Sequence, residues 1–425
     1  MSGIDSKEYL ESARELTRFR FDKWSVRPPG YPLFIALAGS AEKPSRLLFF
    51  ISLGLHFLSI VGMSRVLASL AVPGRVIFSF SLILLMPLYT AHTAFVMAET
   101  LSEFLLCFGF WGLWSGLTQD RKGLTGLASL LLAASGLVRP TYQLLPVLLA
   151  IALLKIAFFS QDFKIKKKCL VRTAFILAAV MVLVHGAFSL WNFSKSGYLG
   201  ITPRLGIDLT TRTVDYLERL PEDYRDIREF LIEKRDVQLV RRGSSHTGTQ
   251  TLFNKQVWRE LKEKTGLNDL SLELYLTRLN LLLIKSEPLH YLHAVGKAFI
   301  SYGFPAIQPG LKMDRGFSQL FWSLFHFGAL ALFLAQLLVF GGQGVMALGE
   351  RFLGIRRKFF VRDPERKTAY LLAFVIVFYN AVISCAVNVG DPRHRVPSDI
   401  FIVFLTVLGF SLIFEVLNQK RQAVL

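Results

Sequence analysis

The chain has 425 residues, 52% of them hydrophobic, with a formal charge of +18 and a mean hydropathy of +0.43. A positive balance of this size suggests nucleic acid, but Lys and Arg are concentrated in short segments between long apolar runs, which argues against a soluble nucleic-acid binder. Cys107, Cys169 and Cys385 are its three cysteines, and they offer neither a disulfide framework nor a metal-ligand spacing.

Runs of about twenty apolar residues, the length that crosses a hydrocarbon core, predict an all-α polytopic membrane protein with about nine transmembrane helices. In chain order the spans are expected at 46–71, 76–90, 95–117, 124–138, 141–160, 173–193, 318–341, 368–388 and 398–418. Basic segments at Lys164 to Arg172, Arg351 to Lys367 and Lys420–Arg421 then fall on the cytoplasmic side, as the positive-inside bias requires. The same alternation leaves 1–45, the 88–94 turn, Arg139, 194–317 and 389–397 outside. Four regions result: an outer first loop (1–45), a transmembrane bundle (46–193), an outer helical region (194–317) and C-terminal spans (318–425). Within the outer region, Phe253, Val257 and Leu261 recur at helical spacing until Gly266 stops the pattern. Residues 289–304 carry Tyr291, Leu292, Val295, Ala298, Phe299 and Tyr302 on one stripe and His290, His293, Lys297 and Ser301 on another, so this helix is expected to lie on the membrane.

Several polar residues stand at the outer ends of spans, and each has an ordinary structural use beside a chemical one. Asp5 with Glu8 forms a capping-box arrangement ahead of Tyr9, Ala13 and Leu16. Arg27, Pro28, Pro29, Gly30, Tyr31 and Pro32 suit an interfacial turn. Glu99 complements a helix N-terminus, Arg139 before Pro140 suits a snorkelling boundary, and Arg393, His394 and Arg395 suit a solvated turn. His290 and His293 read as a polar face, the Gly341, Gly342 and Gly344 group as a linker, and Gly112 with Gly116 as a close helix contact.

In order, Asp5-Ser6 with Tyr9, the Arg27-Pro28-Pro29-Gly30-Tyr31-Pro32-Leu33-Phe34 string, Glu99-Thr100-Leu101, Gly136-Leu137-Val138-Arg139-Pro140, Asn192 with Gly197, Glu287-Pro288 with Tyr291, and Arg393-His394-Arg395-Val396-Pro397 resemble the GT-C superfamily. These are polyprenyl-phosphate-sugar-dependent glycosyltransferases, and the likeness points to the branch of protein O-mannosyltransferases and aminoarabinose transferases. Three departures stand out: no apolar run precedes Asp5, Trp191 occupies a position where arginine is usual, and the first loop has one acid where the protein mannosyltransferases have an adjacent pair. A basic tail cannot easily reach the outer side unaided, so an upstream start followed by roughly twenty apolar residues is expected.

The resemblance implies inverting transfer on the extracytoplasmic face of a bacterial plasma membrane. Asp5 would be the general base, Arg27, Arg139, Arg393, His394 and Arg395 the donor-phosphate ligands, and Tyr9, Tyr31, Glu99 and Asn192 further site residues. The partners implied are a polyprenyl-phosphate-linked sugar, a lipid, glycan or protein acceptor, and membrane lipid, with no nucleic acid. No motif demands a metal or other cofactor. The alternatives are a transporter or flippase, which would have mirrored halves and charges near the midplane, and a catalytically silent assembly subunit.

Overall fold

The computed structural model describes residues 5–20, 27–159, 165–242, 255–303, 364–388 and 390–424, with a few positions between 324 and 331. The expected 318–341 span, the Gly341–Gly344 group and most of the Arg351 to Lys367 segment lie outside the described residues.

All regular structure among the described residues is helical. The first helix, α1 (Ser6–Thr17), buries Tyr9, Leu10 and Ala13 against α2 (Gly30–Leu37). At α3 (Arg46–Ser69) the Ser45 hydroxyl caps the helix by accepting the Leu48 N–H at 3.1 Å. The expected 76–90 span is not one helix. It divides into α4 (Gly74–Leu84) and α5 (Pro87–Thr90) with a following 3-10 turn at Ala91–Ala94, and the two parts are bent by 60°. Pro87 causes the break, since it has no N–H to continue the ladder.

Next come α6 (Glu99–Thr118) and α7 (Lys122–Val138), which form the most extensive helix pair. Gly112 and Gly116 allow the approach: a Cβ there would meet Ala128 at 3.1 Å and Thr125 at 2.5 Å. The bundle continues with α8 (Leu145–Phe159) and α9 (Lys167–Ser196), which stops at Gly197 in the left-handed region. Two later helices, Pro364–Ala386 and Val396–Val424, close it against α6 and α8. Among the described residues, five helices are long and apolar enough to cross a membrane, and the bent α4–α5 pair makes a sixth candidate. Met63, Leu67, Phe110, Leu132, Leu149, Leu177, Ile376 and Phe404 fill the common core. Phe50, Phe57, Phe78, Phe175 and Leu183 point outward instead. An apolar exterior over an apolar core is what a bilayer demands and what water would penalise, so this is a polytopic membrane protein.

The region after α9 folds separately around Leu217, Leu231, Leu261, Leu272, Leu276 and Leu283. Its helices are Leu205–Thr213 (α10), Arg225–Arg242, Lys255–Thr265, Asp269–Ser286 and Pro288–Gly303. Lys255–Thr265 stops at Gly266, as its spacing predicts. Pro288–Gly303 has 16 residues, too few to span, and buries Ala294, Ala298 and Tyr302 while Leu289, Leu292 and Ile300 remain exposed.

Candidate active site

Four chain segments far apart in sequence meet at one end of the bundle. The start of α1 brings Asp5, the turn into α2 brings Arg27, the end of α7 brings Arg139, and the 3-10 turn at Pro392–Arg395 brings Arg393 and His394. Close packing sets their spacing. A Cβ on Gly30 would lie 2.8 Å from the Leu137 carbonyl oxygen, so only glycine lets the Pro-rich turn approach α7 two residues before Arg139. Gly390 does the same for the last turn: its φ is +63° and a Cβ would lie 2.6 Å from the Ala298 carbonyl oxygen. The Ser6 hydroxyl donates to the Val96 carbonyl at 2.9 Å and ties α1 to the approach of α6, whose first residue is Glu99.

Asp5 starts α1 but its side chain makes no capping hydrogen bond. Instead Oδ1 accepts from Arg27 Nη2 at 2.6 Å and Oδ2 from Arg393 Nη1 at 3.1 Å. Burial by itself would raise the Asp5 carboxyl, but the charges of Arg27 and Arg393 prevail and hold it well below the usual carboxylate range. Arg27 also donates from Nε to Glu8 at 2.7 Å and lies over the Tyr9 ring, 5.0 Å from its centroid. Tyr9 in turn meets Tyr31 edge to face at 4.9 Å.

Arg139 is buried, and its Nη2 donates to His394 Nδ1 at 3.0 Å. A guanidinium cannot accept, so Nδ1 carries a lone pair and the ring hydrogen of a neutral His394 sits on Nε2. Arg139 Nη1 lies 3.0 Å from Glu99 Oε1 without completing a hydrogen bond, and Arg393 Nε is likewise buried and unpartnered, 3.6 Å from Asp391. The guanidiniums of Arg27, Arg139 and Arg393 are therefore balanced by Asp5, Glu8, Glu99 and Asp391, yet two of their N–H groups point at nothing they can bond well. Such a site exchanges partners readily: an incoming anion with several oxygens offers those N–H groups acceptors and competes for the arginines that now hold Asp5.

The other expected site residues lie elsewhere. Arg395 is buried, donates from Nε to Asp399 at 2.6 Å and from Nη1 to the Tyr302 carbonyl, so its charge is spent inside the bundle and not beside Asp5. Asn192 bonds locally at the end of α9, donating to the Gly200 carbonyl at 2.8 Å and accepting from the Ser196 hydroxyl at 3.3 Å. Sequence reasoning missed Arg204, which lies 3.6 Å from Glu8, and Asp208 in α10, whose carboxyl burial raises despite Arg204 and Arg27. Arg204 stands at the N-cap of α10 and Asp208 lies within it, some two hundred residues from Asp5, with no motif to mark them. Glu273, under α10, accepts the Ile207 N–H at 3.2 Å, and burial pushes its carboxyl up to about 8. Among the described residues, one group of histidines and carboxylates is compact enough to hold a metal: His56, His92 and Glu103, within the bundle.

No family model and no curated protein matches the chain. Among solved structures it is similar to the archaeal oligosaccharyltransferase AglB from Archaeoglobus fulgidus in complex with an inhibitory peptide and a dolichol-phosphate, at 16% identity and a TM-score of 0.46. The likeness covers 98% of this chain and 47% of that one, so the chain spans about half the length of that enzyme.

Proposed function

We propose that the chain is a membrane glycosyltransferase that moves a sugar from a polyprenyl-phosphate carrier to an acceptor at the outer face. The observation that carries this reading is the set of buried guanidinium N–H groups on Arg139 and Arg393 that lack hydrogen-bond partners, close to Asp5 at one end of the bundle. A lipid-linked phosphate supplies both acceptor oxygens for those N–H groups and a tail suited to a bundle with an apolar exterior.

In this mechanism Arg27, Arg139 and Arg393 hold the phosphate, and the Nε2–H of His394 adds a neutral donor. Their rotation onto the phosphate releases Asp5 from the pair of contacts that keeps its carboxyl acidic, so the base strengthens when the donor arrives. Asp5 then takes the proton of the acceptor nucleophile, whose lone pair attacks the anomeric carbon from the side opposite the phosphate. The bond from that carbon to the phosphate oxygen breaks, the phosphate leaves with the electron pair, and the arginines stabilise its added charge. Configuration at the sugar inverts. Asp208, raised where Asp5 is lowered, is a second carboxylate in the same field.

A transfer assay with purified protein, several polyprenyl-phosphate sugars and mixed lipid, glycan and peptide acceptors tests the proposal. Sugar appearing on an acceptor, with inverted anomeric configuration, is expected. One observation favours the transporter reading: His56, His92 and Glu103 form a buried ionisable group inside the helical bundle, and such groups bind coupling ions in transporters. Ligand movement across vesicles without any bond cleavage would establish that reading in place of transfer.

A further inference from the structure

His56, His92 and Glu103 belong to three elements, α3, the Ala91–Ala94 turn and α6, yet the atoms with which they could hold an ion lie within 4.8 Å of one another. All three are buried, at 1%, 5% and 2% exposure. His56 Nε2 lies 3.1 Å from the Leu84 carbonyl, which can only accept, so that nitrogen bears the ring hydrogen. Nδ1 of the neutral ring then directs its lone pair at Glu103 Oε1, 2.7 Å away. Two lone pairs at that distance need a cation between them, either a proton or a metal ion. His92 Nε2 lies 3.1 Å from the second carboxylate oxygen with no hydrogen-bond partner. Its ring stands at 85° to that of His56, with centroids 5.2 Å apart.

We propose that His56 Nδ1, His92 Nε2 and the Glu103 carboxylate form a binding site for a divalent transition metal ion, with zinc the best match. Two imidazoles and one carboxylate are a zinc donor set with an open fourth position, whereas calcium and magnesium call for oxygen ligands throughout. The His56 contact to a backbone carbonyl is the outer hydrogen bond that fixes the tautomer of a metal-binding histidine. Bonds of about 2.1 Å space tetrahedral ligands by roughly 3.4 Å, so the two short carboxylate distances need to open by less than an ångström. The three residues line a small cavity together with Tyr89, Val396 and Asp399, which leaves space for a fourth ligand. On loading, the divalent ion enters and the proton shared by His56 and Glu103 leaves to solvent, so the site gains one net positive charge. Glu103 is four residues beyond Glu99, about 6 Å along α6. The ion would therefore join α3, the break after α4 and α6 just beneath the carboxylate that pairs with Arg139.

The full-length protein in detergent is stripped with a chelator and titrated with Zn2+, then separately with Co2+. One equivalent should survive desalting, Zn2+ should raise the Tm, and the Co2+ form should show visible ligand-field absorption. His92→Gln should lower metal affinity on the order of a hundredfold or more and lose the Tm response. It should remain folded, because the Gln amide can donate to the Glu103 carboxylate that lies 3.1 Å from His92 Nε2. His290→Gln, on the exposed polar face, should bind as the parent does. Absence of retained metal and of a Co2+ spectrum in the parent would overturn the proposal, and the three residues would then be a proton-sharing group alone. Equal binding by His92→Gln would overturn it too. Should His92→Gln fail to fold, the parent's stoichiometry and Co2+ spectrum decide. None of these readouts depends on sugar transfer, so the site stands or falls apart from the proposed activity.

Discussion

Asp5 occupies an N-cap position while spending its carboxylate on Arg27 and Arg393, and that division makes its role measurable. Asn is about as good a cap as Asp, so a residue that only caps would tolerate Asp5→Asn. If Asp5 is the base, Asn cannot take the proton, and turnover should fall by roughly a hundredfold or more with donor binding retained. Turnover within a few-fold of the parent would refute the mechanism. Arg393→Ala should instead weaken donor binding, seen as a raised KM or a lost binding isotherm, because it removes charge-assisted contacts to phosphate. The short Arg-Pro-Pro-Gly-Tyr-Pro and Arg-His-Arg strings were readable because they set rare residue types at span ends, where polar groups are costly. Arg395 shows why such reading stops short: its neighbours face the site, but one 3-10 turn directs its own side chain to Asp399 inside the bundle. Glu103 and His56 were legible in principle as ionisable residues within apolar runs. Their meeting was not, because it depends on how α3 packs against α6.

At the level of elements, the approach of α2 to α7 depends on a single missing side chain. Gly30→Ala would place a methyl group within 3 Å of both the Leu137 carbonyl and Val138, so α2 must move away. We expect a cost of about 1–3 kcal/mol, read as a lower denaturation midpoint in detergent, with a larger fractional loss of donor binding as Arg27 is displaced from Arg139. A second test concerns the contact between α10 and the Asp269–Ser286 helix. Burial lifts the Glu273 carboxyl from the usual 4.5 to about 8, so the native state holds a proton that the unfolded chain has released. The stability this proton confers is complete below pH 4.5 and is lost as pH rises toward 8. Melting temperature should fall across that window in the parent, and Glu273→Gln, neutral throughout, should flatten the profile. An identical slope in both would remove Glu273 as its source. Most described helix boundaries in the bundle followed from apolar run length; the expected 76–90 span broke at Pro87, a residue whose effect on a helix is local and was visible in the string, and α6 and α7 are not among the helices long and apolar enough to cross a membrane.

For the whole molecule, the distribution of charge along the bundle axis sets up the last prediction. Glu99 opens α6 and Asp120 follows its end, while Arg121 precedes α7 and Arg139 follows it. Each helix rises 1.5 Å per residue, so roughly 25–30 Å separate the two ends. At one end lie Asp5, Arg27, Arg139, Arg393 and His394; at the other, Arg172 pairs with Asp120, and Arg366 donates to the Leu70 carbonyl at 2.8 Å. We propose, from the positive-inside bias, that the Arg172 and Arg366 end faces the cytoplasm and the Asp5 end the outside. Impermeant thiol labelling of sealed cells tests this. The native Cys107, Cys169 and Cys385 are all buried and give little background. Ser6 and Ser398 are fully buried and unsuitable as reporters, whereas Thr17, Ser286 and Gln119 are exposed. Cysteine at Thr17 or Ser286 should react from outside, and cysteine at Gln119 only after the membrane is opened. The reverse pattern would put Asp5 and its arginines in the cytoplasm, where an outward-facing lipid-linked donor cannot reach them, and would require a donor presented from the inner leaflet.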